Sequence, residues 1–107
     1  MPRQIGVHEL KTLLDAGAPV YLVDVRQPWE HDRAHLPGDV LVPLDELESR
    51  TDEITPPEDA LVVAYCHHGI RSLGAAAILE RLHPRVASLS GGIDRWSIDV
   101  DPTVLRY

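Results

Sequence analysis

The chain has 107 residues, 44% hydrophobic and 25% charged, with a formal net charge of −7 from 17 acidic and 10 basic side chains. That length supports one hydrophobic core, so residues 1–107 read as a single domain, and no apolar run is long enough to span a bilayer. The acidic balance argues against a nucleic-acid binder, because phosphate binding needs a basic surface. Nine of the ten basic residues are arginine, which leaves room for one local, forked anion contact. The single cysteine, Cys66, cannot form an internal disulfide and suits a reducing compartment. Met1, Pro2, Arg3 and Gln4 lead into apolar periodicity without the core of a secretory leader, so a cytoplasmic location is expected.

In chain order, residues 7–16 place Val7, Leu10, Leu13 and Leu14 at helical spacing, and Gly17 and Pro19 stop the helix. Residues 20–25 form a run of strand length that is apolar but for Asp24, as expected for a central parallel strand covered on both faces. Pro28 opens a short helix through Trp29 to Ala34. The Leu36, Pro37, Gly38 turn then precedes a short strand over 40–42. Residues 44–50 look helical, with Leu44 and Leu47 three apart. Thr55, Pro56 and Pro57 break the chain before a second apolar strand, 60–65, which runs directly into Cys66. An alanine-rich helix over 71–82 ends at His83 and Pro84, and 86–89 is a short strand. Gly91 and Gly92 turn into a last helix around 93–96, and an irregular segment begins at Asp101 and Pro102. Alternating strands and helices within one domain predict an α/β fold with a mainly parallel sheet and helices on both faces.

Open parallel sheets bind ligands at the carboxyl ends of their strands, and Cys66 lies at such an end. The segment Cys66, His67, His68, Gly69, Ile70, Arg71, Ser72 can curl at Gly69 so that successive N–H groups face inward and join the free N–H groups of the following helix. The result is an anion cradle, and the helix dipole there favours negative charge on the sulfur. Arg71 is placed to fix the loop or to clamp an anion.

The residues Leu22, Val23, Asp24, Val25, Arg26, then Glu30, His35-Leu36-Pro37-Gly38, Cys66 to Ser72, and Gly91-Gly92 followed by Trp96 resemble the rhodanese (thiosulfate sulfurtransferase) family, stand-alone single-domain type, over nearly the whole chain. The resemblance implies a sheet of about five short strands and a sulfurtransferase that moves a sulfane sulfur from thiosulfate or a related anion, through a Cys66 persulfide, to cyanide or another thiophilic acceptor. It assigns Cys66 as sulfur carrier, His67, His68, Gly69, Ile70 and Arg71 as the substrate cradle, and Asp24 and Arg26 as braces. The six-residue loop from Cys66 to Arg71 matches sulfur-transferring members, whereas related dual-specificity phosphatases have a longer one.

Ala34 stands where a glycine commonly precedes the His-x-Pro-Gly turn, and Asp39 where alanine is common. His67 and His68 replace the strongly basic residues common in efficient thiosulfate users, so the choice between thiosulfate and 3-mercaptopyruvate stays open. Neither a metal nor a cofactor is expected: adjacent histidines rarely converge on one ion, and no ligand pair has zinc spacing. His35 reads as a turn residue, and Trp29 and Trp96 as core or pocket wall. A second reading is a sulfur carrier or protein-binding module, accepting persulfide from or delivering it to another protein, with little small-molecule activity. A thiol redox sensor is weaker, because no second cysteine resolves a sulfenic acid.

Overall fold

The structure, a computed structural model, describes residues 2–107. Five strands, β1 (Gln4–Ile5), β2 (Val20–Asp24), β3 (Val40–Leu41), β4 (Leu61–Tyr65) and β5 (Val86–Leu89), form one sheet in the order β1-β5-β4-β2-β3 with every pair parallel. The helices are α1 (Val7–Asp15), α2 (Pro28–Arg33), α3 (Arg71–Leu79) and α4 (Gly92–Asp99). β4 is the middle strand and is buried at every position, as its unbroken apolar run requires.

Period-two alternation divides that run between two cores. Leu61, Val63 and Tyr65 join Leu22, Ala87, Leu89 and residues of α1 and α4 on one face. Val62, Ala64 and Cys66 join Val23, Val25, Val86 and the Ala75, Ala76 and Leu79 side of α3 on the other. Each fully buried leucine or valine contributes about 1.5–3 kcal/mol of transfer free energy. Because the strands are parallel, Asp24, Tyr65 and Leu41 reach the same edge, with Asp24 in register with Tyr65 and Leu41. The carboxyl ends of β2, β4 and β5 therefore lie along one edge of the sheet.

Three local expectations change. Residues 44–50 form a 3-10 helix, Leu44–Ser49, followed by a second, Thr51–Glu53. Leu44 and Leu47 stand three apart, the spacing that eclipses on three residues per turn, and Leu47 is fully buried. α3 stops at Leu79 rather than 82; turn bonds from Leu82 and His83 N–H to Leu79 O follow, and Leu82 faces solvent. β1 carried no periodic signal at two residues long, and it forms because Ile5 packs into the core while Arg3 O and Ile5 O accept the N–H groups of Ser88 and Ser90. Trp96 is core, but Trp29 is 58% exposed on α2.

Candidate active site

Cys66 leaves β4 at the sheet's carboxyl edge with its sulfur turned inward; the residue is 1% exposed. The loop wraps around Sγ, which accepts N–H groups from Gly69 at 3.2 Å and Ser72 at 3.3 Å. The second donor belongs to the first turn of α3, so the helix's free N–H end points at the sulfur. Ser72 Oγ lies 3.5 Å from Sγ and 2.7 Å from Ser88 Oγ on β5, both serines being fully buried.

Two glycines permit this curl. Gly69 has φ +94°, and a Cβ there would lie 2.9 Å from Gly91 N. Gly92 has φ +60°, and its Cβ would fall 2.5 Å from Cys66 O and against the His67 carbonyl. That close approach lets Ile93 N–H donate to Cys66 O (2.9 Å) and Asp94 N–H to His67 O (3.1 Å). α4 thus holds the Cys66 and His67 carbonyls with its free N-terminal donors, while the Gly69 and Ser72 N–H groups reach the sulfur.

The arginines are held by carboxylates. Arg26, fully buried, forks onto Asp24 with Nε and Nη2 each at 2.8 Å, and Nη2 also donates to Ala34 O. Burial works against its charge, but the bonds to Asp24 and Tyr107 outweigh that and raise its pKa above the ordinary value. Arg71 forks onto Glu30 at 2.7 and 2.9 Å. Gln27 N–H and Tyr107 O–H donate to the same carboxylate. The Arg71 bonds lead in lowering the Glu30 pKa to about 2, and Glu30 in turn raises that of Arg71.

A row of rings flanks the loop. His67 stacks on His68 at 3.9 Å and on Tyr107 at 3.9 Å, and Trp29 meets Tyr107 edge-on at 5.9 Å. Burial, then the neighbouring His68, lowers the His67 pKa and keeps the ring neutral near pH 7. Its Nε2 is buried without a partner among the described residues.

Every proposed site residue except Ile70 contributes a side chain or backbone group to this assembly; the Ile70 side chain is 75% exposed at the rim. Asp24 and Arg26 reach the loop only indirectly, through Tyr107 and Glu30. Ser72, Ser88, Glu30 and Tyr107 were not assigned roles from sequence. Ser72 adjoins Arg71 and could have been read from that adjacency, whereas Tyr107 lies 81 positions from Arg26 and carries no local signal.

Two triplets bring candidate metal ligands within 4.8 Å of one another: His31, His35 and Asp39, and His67, His68 and Asp94. Folding adds Asp94 to the His67 and His68 pair, and the His31, His35 and Asp39 triplet was not expected from the sequence. In both triplets the imidazoles meet face to face, at 4.0 and 3.9 Å, rather than converging by their nitrogens. His31 Nδ1 lies 3.0 Å from Asp24, His35 Nδ1 lies 3.0 Å from His31 O, and Asp94 accepts from Arg106. A cavity of about 480 Å³ between α1 and α4, lined by Leu14, Leu22, Leu36 and Trp96, includes no residue of the Cys66 loop.

The fold and site define an α/β protein whose parallel sheet presents one cysteine at the carboxyl end of its middle strand, with two backbone N–H groups donated to the sulfur. Residues 6–99 match the rhodanese-like domain, and the chain belongs to that sulfurtransferase family. It is 34% identical over 104 residues to the probable adenylyltransferase/sulfurtransferase MoeZ of Mycobacterium tuberculosis, covering 96% of this chain but only 26% of MoeZ. A sulfurtransferase of Allochromatium vinosum is 35% identical over 98 residues, covering 91% of this chain and 90% of that protein. Among solved structures, the human single-domain sulfurtransferase TSTD1 superposes with a TM-score of 0.78 at 26% identity, covering 92% of this chain and 98% of that one.

Proposed function

We propose that the protein transfers sulfane sulfur in two steps through Cys66, in the cytoplasm, with thiosulfate or a related anion as donor. The observation that carries this reading is the Cys66 Sγ itself, which accepts two backbone N–H groups at the base of a loop closed by Arg71. In the first step the Cys66 thiolate attacks the outer sulfur of thiosulfate. A new S–S bond forms, the donor S–S bond breaks, and sulfite leaves with the electron pair. In the second, cyanide or a thiol acceptor attacks the outer sulfur of the Cys66 persulfide and the thiolate is regenerated. No redox cofactor enters the balance. Neutral His67 beside the loop adds no full charge for the donor, so backbone N–H groups and Arg71 supply the attraction.

Steady-state transfer from thiosulfate to cyanide, repeated with 3-mercaptopyruvate and with Cys66→Ser, tests the proposal. Intact mass after thiosulfate treatment should show one added sulfur on the wild type and none on Cys66→Ser. Absence of the adduct on the wild type, or its presence on the serine variant, sinks the mechanism.

The exposed Trp29 and Ile70 support a second reading, a carrier module that exchanges sulfur with another protein, because apolar side chains at the rim suit a macromolecular contact. Cys66-dependent sulfur uptake without turnover on cyanide, followed by delivery to a protein thiol, would favour it.

A further inference from the structure

Residues 101–107 are anchored across the site rather than trailing from α4. Ser97 Oγ on α4 donates to Val104 O at 2.5 Å, Arg106 forks onto Asp94 at 2.8 and 3.3 Å, and Tyr107 packs against the core on the α1 and α4 face. The Tyr107 hydroxyl lies between two ionic pairs. It is 2.8 Å from Arg26 Nη1 and 2.7 Å from Glu30 Oε2.

The chemistry of these groups fixes the direction of each bond. Arginine is only a donor, so the hydroxyl accepts from Arg26 and its own proton must point to Glu30. Arg26 cannot follow a moving tyrosine, because Asp24 and Ala34 O hold its other nitrogens. Each Glu30 oxygen accepts one nitrogen of Arg71 and has one further donor: Gln27 N–H on Oε1 and Tyr107 O–H on Oε2. With both pins in place the carboxylate plane is set, and the Arg71 fork lies in that plane. Without the hydroxyl, one pin remains and the carboxylate can swing about it. Arg71 spends two of its five N–H donors on Glu30, which leaves three for an anion approaching the loop.

We propose that Tyr107 is a positioning residue: acting through Glu30, it holds Arg71 in the orientation that makes the Cys66 loop selective for anionic sulfur donors. The proposal rests on the sulfur-transfer reading, and it extends the site to a residue that joins the β2 brace to the loop. The Tyr107 pKa is pushed up to about 12 by burial and Glu30, so the hydroxyl remains a donor throughout the working pH range.

The test measures Cys66 alkylation by iodoacetate, an anion, and by neutral iodoacetamide, so that charge selectivity at the sulfur is read without sulfur transfer. Tyr107→Phe keeps the ring on His67 and removes only the hydroxyl. The iodoacetate to iodoacetamide rate ratio should fall about threefold or more in Tyr107→Phe with the iodoacetamide rate unchanged, and at least as far in Arg71→Ala. Glu30→Gln, which keeps the Tyr107 ring and removes the carboxylate that its hydroxyl pins, supplies a second test if the phenylalanine variant does not fold, with the same fall in ratio expected. An unchanged ratio in the Tyr107 variant, an unchanged ratio in Arg71→Ala, or equal changes with both reagents would each overturn the proposal. A wild type without Cys66-dependent sulfur transfer would instead overturn the function proposed above, leaving the alkylation ratio to report on Tyr107 separately.

Discussion

The Glu30 carboxylate is the point where the site's arrangement and the protein's stability meet. Its pKa falls from an ordinary 4.5 to about 2, first because Arg71 donates two hydrogen bonds and then because Tyr107 and Gln27 add theirs against the cost of burial. A group whose folded pKa is depressed stabilises the fold above its unfolded pKa and loses that contribution as pH falls through the folded value. For Glu30 the window runs from about 4.5 down to about 2. At 1.36 kcal/mol per pKa unit the ceiling is about 3 kcal/mol. The Arg71 side chain is 37% exposed, however, and solvent screening reduces the expected figure to about 1–2 kcal/mol.

Glu30→Gln keeps the side chain's size and removes the charge. Urea unfolding at pH 7 should show the variant less stable by about 1–2 kcal/mol, or roughly 5–10 °C in thermal midpoint for a domain of this size. The gap between the two proteins should then close as pH is lowered from 4.5 toward 2, since over that range the unfolded chain's Glu30 takes up a proton that the folded carboxylate binds only near pH 2. A gap that keeps its size over that range would refute the linkage and, with it, the assignment of Arg71 as the dominant partner.

Gly92→Ala places a Cβ against the Cys66 and His67 carbonyls at a left-handed φ, so it should cost more than ~2 kcal/mol and lower sulfur transfer together. Wild-type unfolding and kinetics in this variant would show that the loop does not need the close approach of α4. Tyr65→Phe removes a buried hydroxyl that donates to Asp39 and accepts from Leu36 N–H. Denaturant titration should give a loss of about 1–3 kcal/mol, and a neutral result would mean that neither group depends on it. Ser72→Ala keeps the N–H bond to Sγ but removes the hydroxyl beside it and leaves Ser88 Oγ without that partner. Turnover should fall about threefold to tenfold, a loss of the size expected for one hydrogen bond, and unchanged kinetics would assign the contact to packing alone.

Much of the fold was legible because its signals are local. The apolar runs of β2 and β4 mark strands covered on both faces, and the loop from Cys66 to Arg71 is contiguous, so strand end, cysteine, glycine and arginine appear in sequence in the order in which they act. Gly91 and Gly92 announced a turn, but their reason is tertiary: the space beside Gly92 is filled by the carbonyls of another loop. What the chain alone determined was an α/β domain with its one cysteine at the end of a buried strand. Tertiary structure decided that Arg71 is paired with Glu30, that Asp24 and Arg26 act on the loop at one remove, and that Tyr107 joins them. Those contacts unite residues 41 to 81 positions apart, and their strength comes from exclusion of water at the junction, which no local pattern of residues encodes.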